Sequence, residues 1–283
     1  MENIIFCDGG LANRLNTLIF GLILKEKFGG KWAISWPINN WCGAKFDDLF
    51  LTDIKCYDNA LNYYKKNENN FTMLMHENQS NFDEKIIIYN KELKGYDAYE
   101  EVLKKGKPIL YYHNLIPSFV DVNDISLGLR KLQPNSEILI KAYAFCTRNK
   151  ISNSVLGMHI RKTDFGNLVD DESLFKIALN SEHRFFVCSD DKKVTERFSE
   201  LKNCIVYEKD FYPEKKNENG NWNSLIQDDQ GRIYNFNVSR SSDSVCDALI
   251  DLMILSKTTQ IHTSNSTFLK MAMIFKSTNY FSF

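Results

Sequence analysis

The sequence predicts an α/β protein built from two Rossmann-type units, and three stretches carry that prediction. Near the start, Ile4-Ile5-Phe6-Cys7 runs into Asp8-Gly9-Gly10. Leu15, Leu18, Ile19, Leu22, Ile23 and Phe28 then recur at helical spacing until Gly29-Gly30 stops them. This is strand, glycine turn, helix. Midway, Val155-Leu156-Gly157-Met158 ends in His159-Ile160-Arg161-Lys162-Thr163-Asp164. An apolar run that delivers a polar cluster is how a buried parallel strand reads at the mouth of its sheet. The rhythm then repeats, with a strand at Arg184 to Cys188 ending in Ser189-Asp190-Asp191, a helix from Lys193 to Leu201 and a strand at Cys204 to Tyr207. A chain of 283 residues suits two compact domains better than one. The junction is placed near residue 150, giving units 1–150 and 151–283.

Composition narrows the function classes. Hydrophobic residues make up 43% and charged residues 25%, as in an ordinary globular protein. Lys and Arg number 35 against 36 Asp and Glu, so no global field favours nucleic acid and any anion site is local. The seven cysteines are scattered without a C-x-x-C pair, which reads as reduced thiols and a cytoplasmic setting. The start lacks the basic segment of a signal peptide. No apolar run approaches the roughly 18 residues of a membrane span.

The remaining elements follow in order. Trp32 to Trp36 reads as the second strand, leading into the turn-rich Pro37 to Gly43. Trp36 and Trp41 offer either a sugar-stacking platform or, more simply, core and loop anchors. Met73 to Met75, Ile86 to Tyr89 and Ile109 to Tyr112 read as further strands, the first weakest because Met and Leu favour helix. His76 and His113 follow two of these runs, where a cleft position and a plain surface position both fit. Leu127 to Cys146 is amphipathic with a break at Pro134. Lys215 to Gly231 reads as a long polar loop. Ser241 to Ser256 is a helix with a Ser/Asp start, on which Asp247 and Asp251 lie one turn apart. Ile261 to Thr263 reads as a brief strand ending in Ser264-Asn265-Ser266-Thr267-Phe268, and Leu269 to Phe275 as a closing helix.

Three predicted strand ends therefore carry polar clusters: His159 to Asp164, Ser189 to Asp191 and Ser264 to Thr267. In one parallel sheet they open on the same edge, where ligands of α/β folds bind. Arg161 presents a flat fork that matches phosphate oxygens. Helix-start amides and hydroxyls at Ser264, Asn265, Ser266 and Thr267 suit phosphate too. A solvated, salt-bridged turn would also satisfy the first cluster. Gly9-Gly10 lets backbone approach a ligand or merely turns the chain, although Asn13 and Arg14 in the first helical turn exceed what a plain turn needs. The G-x-G-x-x-G fingerprint is absent, which argues against a dinucleotide oxidoreductase.

Gly9-Gly10-Leu11-Ala12-Asn13-Arg14-Leu15 resembles the G-G-x-x-N-R/Q segment of the fucosyltransferase superfamily, which comprises α1,2-, α1,6-, nodulation and protein O-fucosyltransferases. His159-Ile160-Arg161-Lys162-Thr163-Asp164 is similar to its H-x-R-R-x-D motif, with Lys162 in place of the second Arg. Phe186 to Asp191 resembles its strand ending in S-D. Asp247 through Asp251 and Ser256 to Ser264-Asn265-Ser266-Thr267-Phe268 is similar to its D-x-x-x-D segment followed by S-x-S-S/T-F. The four motifs stand in the family's order and cover about a quarter of the chain.

The resemblance implies a GT-B architecture, two Rossmann-like domains facing a cleft, with residues 1–150 on the acceptor side and 151–283 binding the donor. It implies GDP-fucose as donor, a glycan acceptor, inversion at the anomeric carbon and no metal or other cofactor. Arg161 would stabilise the departing diphosphate and Asp164 would orient the cations. His159, Lys162, Ser189, Asp190, Asp247, Ser264, Asn265, Ser266 and Thr267 would line the donor site, with Gly10, Asn13 and Arg14 from the glycine turn. Arg240 is a further phosphate candidate on physical grounds. For the base that takes the acceptor proton, Asp8 comes first and Asp170, Asp171 and Glu172 next; a route through the phosphate itself needs none. Peripheral contact with a membrane would come through the acceptor. Two other readings stay open: the same fold with another nucleotide sugar, and a non-catalytic nucleotide-sugar binder.

Overall fold

The computed structural model describes residues 2–58, 72–75, 87–89, 93, 95–105, 109–112, 115–163, 170–227, 231, 233–234, 236–261 and 266–281. The chain divides into two compact units, Met1–Ile38 with Lys45–Pro134, and Asn39–Ala44 with Asn135–Phe283.

Unit 1 opens with β1 (Asn3–Phe6), α1 (Leu11–Phe28) and β2 (Trp32–Ser35). A short α2 (Phe46–Leu49), β3 (Phe50–Leu51), β4 (Lys55–Tyr57), β5 (Thr72–Met75) and β6 (Ile87–Tyr89) follow. The unit ends with α3 (Tyr96–Lys104), β7 (Ile109–Tyr112), α4 (Val122–Leu129) and β8 (Gln133–Pro134). Six strands form one sheet in the order β4-β2-β1-β7-β5-β6, every pair parallel. Helix α1 is buried from Leu11 to Leu24 save for Asn13, as expected of a helix apolar on all sides and enclosed by packing. Two glycines permit that enclosure. A Cβ on Gly21 would lie 2.6 Å from Ile5 side-chain carbons of the sheet, and one on Gly128 of α4 would lie 2.8 Å from the Ile19 carbonyl.

Unit 2 comprises α5 (Ser136–Arg148), β9 (Leu156–Ile160), α6 (Asp171–Leu179), β10 (Phe185–Ser189) and α7 (Lys192–Ser199). Then come β11 (Cys204–Ile205), the antiparallel pair β12 (Ile226–Gln227) and β13 (Ile233–Tyr234), α8 (Ser242–Ser256), β14 (Thr259–Gln260) and α9 (Thr267–Ser277). Its sheet runs β11-β10-β9-β14, all parallel. Met158, Ile160, Phe185 and Val187 face Ala178 of α6 and Val194 and Phe198 of α7. The five helices from α5 to α9 each begin on an Asn, Asp or Ser whose side chain accepts a backbone N–H of the first turn, and so do α4 and its cap Asp121. Among the described residues no helix is long and apolar enough to cross a membrane.

The structure moves several boundaries. The unit division falls at Pro134–Asn135, not near 150, because α5 packs against α8. Leu127 to Cys146 is two helices, α4 and α5, with the Pro134 strand between. The last strand among the described residues is Thr259–Gln260; of the expected strand Ile261 to Thr263, Ile261 lies just beyond it and His262 and Thr263 lie outside the described residues. Helices α3 and α6 occupy stretches to which the sequence reading assigned no element. Lys215 to Gly231 includes strand β12. The six-residue loop Asn39–Ala44 belongs to unit 2. Asn40 accepts from the Arg240 backbone N–H at 3.0 Å, and Gly43 bridges Ser241 in parallel.

Gly157, in the middle of β9, sets how closely the helix layer approaches. A Cβ there would stand 2.1 Å from Thr258 Oγ1 and 2.7 Å from Leu255 Cδ1, and Thr258 is itself fixed by donating to the Leu255 carbonyl at 2.7 Å. Gly157→Ala is expected to cost about 1–3 kcal/mol, read as a lower urea midpoint at unchanged slope.

Candidate functional site

The register of β9 against β10 builds the site. Pairing Cys188 with His159 and Ser189 with Ile160 brings Asp190 beside the residues that follow β9. Asp190 then engages that turn with both carboxylate oxygens: Oδ1 accepts the Lys162 backbone N–H at 2.7 Å and Oδ2 the Thr163 hydroxyl at 2.5 Å. Thr163 is buried and also accepts from Arg240 Nη2 at 3.5 Å. Arg161 and Lys162 are thus carried, half-buried, on a backbone clamped from the neighbouring strand. The Lys162 ammonium meets Asp171 of α6 at 2.6 Å, so its charge is already partly answered.

His159, at the end of β9, is buried between two elements. Its ring stacks on Phe268 of α9 (4.6 Å between centroids, 22° between planes), and Nδ1 lies 3.2 Å from Ser266 Oγ. Ser266 caps α9 by accepting the Leu269 N–H at 3.1 Å. This leaves its hydroxyl proton available for Nδ1 and favours the Nε2–H tautomer. Burial pulls the imidazole down to about 4, with Arg161 and Lys209 adding to the effect and Asp190 opposing it. His159 is a neutral ring at physiological pH.

Beneath β10 lies a group that the sequence reading missed. Lys209 Nζ donates to the Ser189 carbonyl and to Asp251 Oδ2, both at 2.7 Å, with the two side chains only 6% and 5% exposed. Burial works against the ammonium, and the adjoining Asp251 carboxylate more than offsets it, leaving Lys209 above its usual range. One turn before Asp251, Asp247 is half-buried and raised to about 6 by burial, with Lys209 pulling the other way and Asp251 pushing it higher.

In unit 1 the glycine turn is held from inside. Gly9 adopts φ +82°, which an L side chain rarely takes, and its N–H donates to Asp8 Oδ1 at 2.7 Å. Arg14 is fully buried. Its Nε donates to the Gly9 carbonyl at 2.7 Å, Nη2 lies 3.8 Å from Asp8 Oδ1, and the guanidinium sits 4.9 Å over the Trp36 ring. Trp36 packs edge-on against Phe46 in the core, so it is an anchor and not a sugar platform. Asp8 keeps 29% of its side chain exposed. Asn13 stands in the first turn of α1, and its Oδ1 accepts no hydrogen bond from the described residues.

The structure thus brings His159, Arg161, Lys162, Ser189, Asp190, Arg240 and Ser266 to one edge of the unit 2 sheet, with Thr267 opening α9. Asp247 lies among the charged groups around Lys209. Asp8, Gly10, Asn13 and Arg14 gather at the β1–α1 turn of unit 1. Asp164, Ser264 and Asn265, with His76 and His113, lie outside the described residues. Asp170 caps α6 through Ser173, and Asp171 and Glu172 form that helix's first turn, Glu172 meeting Arg197 at 2.5 Å. Among the described residues no group of three or more His, Cys, Asp or Glu is placed to hold a metal ion.

Asp247 generates a pH test. The folded chain holds its proton more tightly than the unfolded chain, so the group adds stability below about pH 4 and withdraws it as pH rises through about 6. Asp247→Asn, which cannot ionise, is expected to gain about 1 kcal/mol on wild type between about pH 4 and pH 7, after discounting for half exposure. Urea melts at both pH values measure it. A difference independent of pH would mean that the carboxylate is not perturbed.

No protein-family model and no curated protein sequence matches the chain. Solved structures do. NodZ α-1,6-fucosyltransferase co-crystallised with GDP aligns over 96% of this chain and 92% of that chain, at 14% identity and TM-score 0.55. The same enzyme soaked with GDP-fucose aligns over 97% and 92%, at 14% identity and TM-score 0.54. Fucosyltransferase NodZ from Bradyrhizobium aligns over 96% and 93%, at 15% identity and TM-score 0.55. The chain has the fold of the NodZ fucosyltransferases.

Proposed function

We propose that this chain is a glycosyltransferase that moves fucose from GDP-fucose to a glycan hydroxyl, with inversion and without a metal. One observation carries the reading: the turn after β9, clamped by Asp190, presents Arg161 at the carboxyl edge of a parallel sheet. The NodZ fold, which is solved with GDP and with GDP-fucose, supports the choice of donor.

The chemistry follows from where charge appears. The acceptor oxygen attacks the anomeric carbon, the bond from that carbon to the β-phosphate oxygen breaks, and negative charge accumulates on departing GDP. A guanidinium held in place before reaction stabilises that charge more than it stabilises intact donor. Arg161 takes this role. Lys162, already paired with Asp171, contributes field more than contact, which tempers the loss of a second forked arginine there. Arg240, tied to the same turn through Thr163, is the second phosphate contact. Asp8 is the candidate to take the acceptor proton, since it is a carboxylate that keeps part of its side chain exposed. Donor binding is assigned to unit 2 and acceptor binding to unit 1. The scattered cysteines support a cytoplasmic setting, with any membrane contact made through the acceptor.

Calorimetric titration of EDTA-treated protein with GDP, GDP-fucose, GDP-mannose and UDP-sugars tests the reading. GDP and GDP-fucose are expected to bind in preference to UDP-sugars. Arg161→Ala is expected to weaken GDP by about 10- to 100-fold, the worth of a charge-assisted hydrogen bond. Indifference to the base, or to the substitution, would end the GDP-fucose assignment. Preference for GDP-mannose would keep the fold and change the sugar. GDP release from GDP-fucose separates an enzyme from a non-catalytic binder.

A further inference from the structure

The buried Lys209–Asp251 pair has no part in the chemistry above, and its burial calls for a reason. An ion pair withdrawn from water is weak evidence for stability, because well-packed apolar residues of similar size hold a core as well or better. This pair lies at one particular place. Lys209, four residues beyond β11, reaches the carbonyl of Ser189, the last residue of β10. Asp251 fixes the same ammonium from α8. On its third side Lys209 stands 4.9 Å from the Tyr212 ring, whose hydroxyl lies 2.7 Å from Thr195 Oγ1 of α7. The next residue after Ser189 is Asp190, both of whose oxygens hold the Lys162 amide and the Thr163 hydroxyl.

We propose that Lys209 is a positioning residue for the donor site: by clamping the Ser189 carbonyl it fixes Asp190, and through Asp190 the turn that carries Arg161. The proposal deepens the donor-site reading and rests on it. Lys209 touches no reacting atom. It sets the backbone from which the diphosphate-binding cation is presented, and Asp251 keeps it charged and aimed.

The test separates positioning from packing by removing both charges together. Lys209→Met alone leaves the Asp251 carboxylate buried without its partner and is expected to lower the melting temperature. Lys209→Met/Asp251→Leu is expected to recover most of that loss. If Lys209 positions the turn, the double variant still binds GDP about tenfold or more weakly than wild type. The effect of Asp190→Asn on GDP affinity also shrinks in that background, as coupled residues require. Exchange of the Lys162 amide with deuterium is expected to quicken at least tenfold in the double variant. Wild-type GDP affinity together with wild-type Lys162 protection would overturn the proposal and leave a packing role. Lys209→Leu/Asp251→Asn gives the same readouts should the first pair fail to fold. If wild-type protein does not bind GDP, the donor reading falls, and the Lys162 amide still decides whether Lys209 shapes the turn.

Discussion

A cation proposed to meet a diphosphate must be held still before the ligand arrives, and here a neighbouring carboxylate does the holding. Asp190 accepts from one backbone amide and one hydroxyl of the turn after β9. It therefore fixes the path of the backbone at Arg161. The S-D ending of β10 and the R-K ending of β9 are thus two parts of one device, joined because parallel register sets their strand ends side by side.

The same economy appears wherever the polar clusters of unit 2 meet helices. Asp191 caps α7 and Ser266 caps α9, so residues that read as ligand contacts also complete the hydrogen bonding of helix starts. The two roles are compatible for a serine, whose oxygen takes the Leu269 amide while its proton turns toward His159. They are less so for Asp191, whose Oδ1 already accepts two amides. Glycine completes the arrangement: a Cβ on Gly43 would lie 2.2 Å from the Arg240 carbonyl, so only glycine lets the 39–44 loop run against the residue that carries the second guanidinium of the site.

Much of this was legible in the sequence, for definable reasons. Apolar runs ending in polar clusters marked β9 and β10, and their shared edge followed from parallel pairing alone. Helices α3 and α6 went unread although Tyr99 with Val102, and Leu174 with Ala178, keep helical spacing. Each is only nine residues long, and the run of three acids from the cap Asp170 into the start of α6 resembles a solvated loop. Asp170 as an N-cap was the available signal. The unit boundary was misplaced because local pattern cannot say which neighbour a helix packs on. Lys209 was invisible for a related reason. Between Glu208 and Asp210 it looks like any surface lysine, and only the fold brings Asp251, 42 residues away, to its ammonium.

Arg14 and Arg161 show how far residue type underdetermines role. Both follow a strand, both stand in motifs that resemble one family, and both were assigned to the donor. Arg14 is wholly buried, its Nε on the Gly9 carbonyl and its face on Trp36. Its guanidinium shapes the glycine turn and draws Asp8 toward it. Arg161 sits half-buried on a turn whose own hydrogen bonds are met by Asp190. The first is an internal brace beside the turn's partly exposed carboxylate. The second is carried on a turn at the edge of the unit 2 sheet. What separates them is which nearby groups the backbone fold offers each guanidinium, and in unit 2 that offer depends on a lysine placed where no strand end or motif would have pointed.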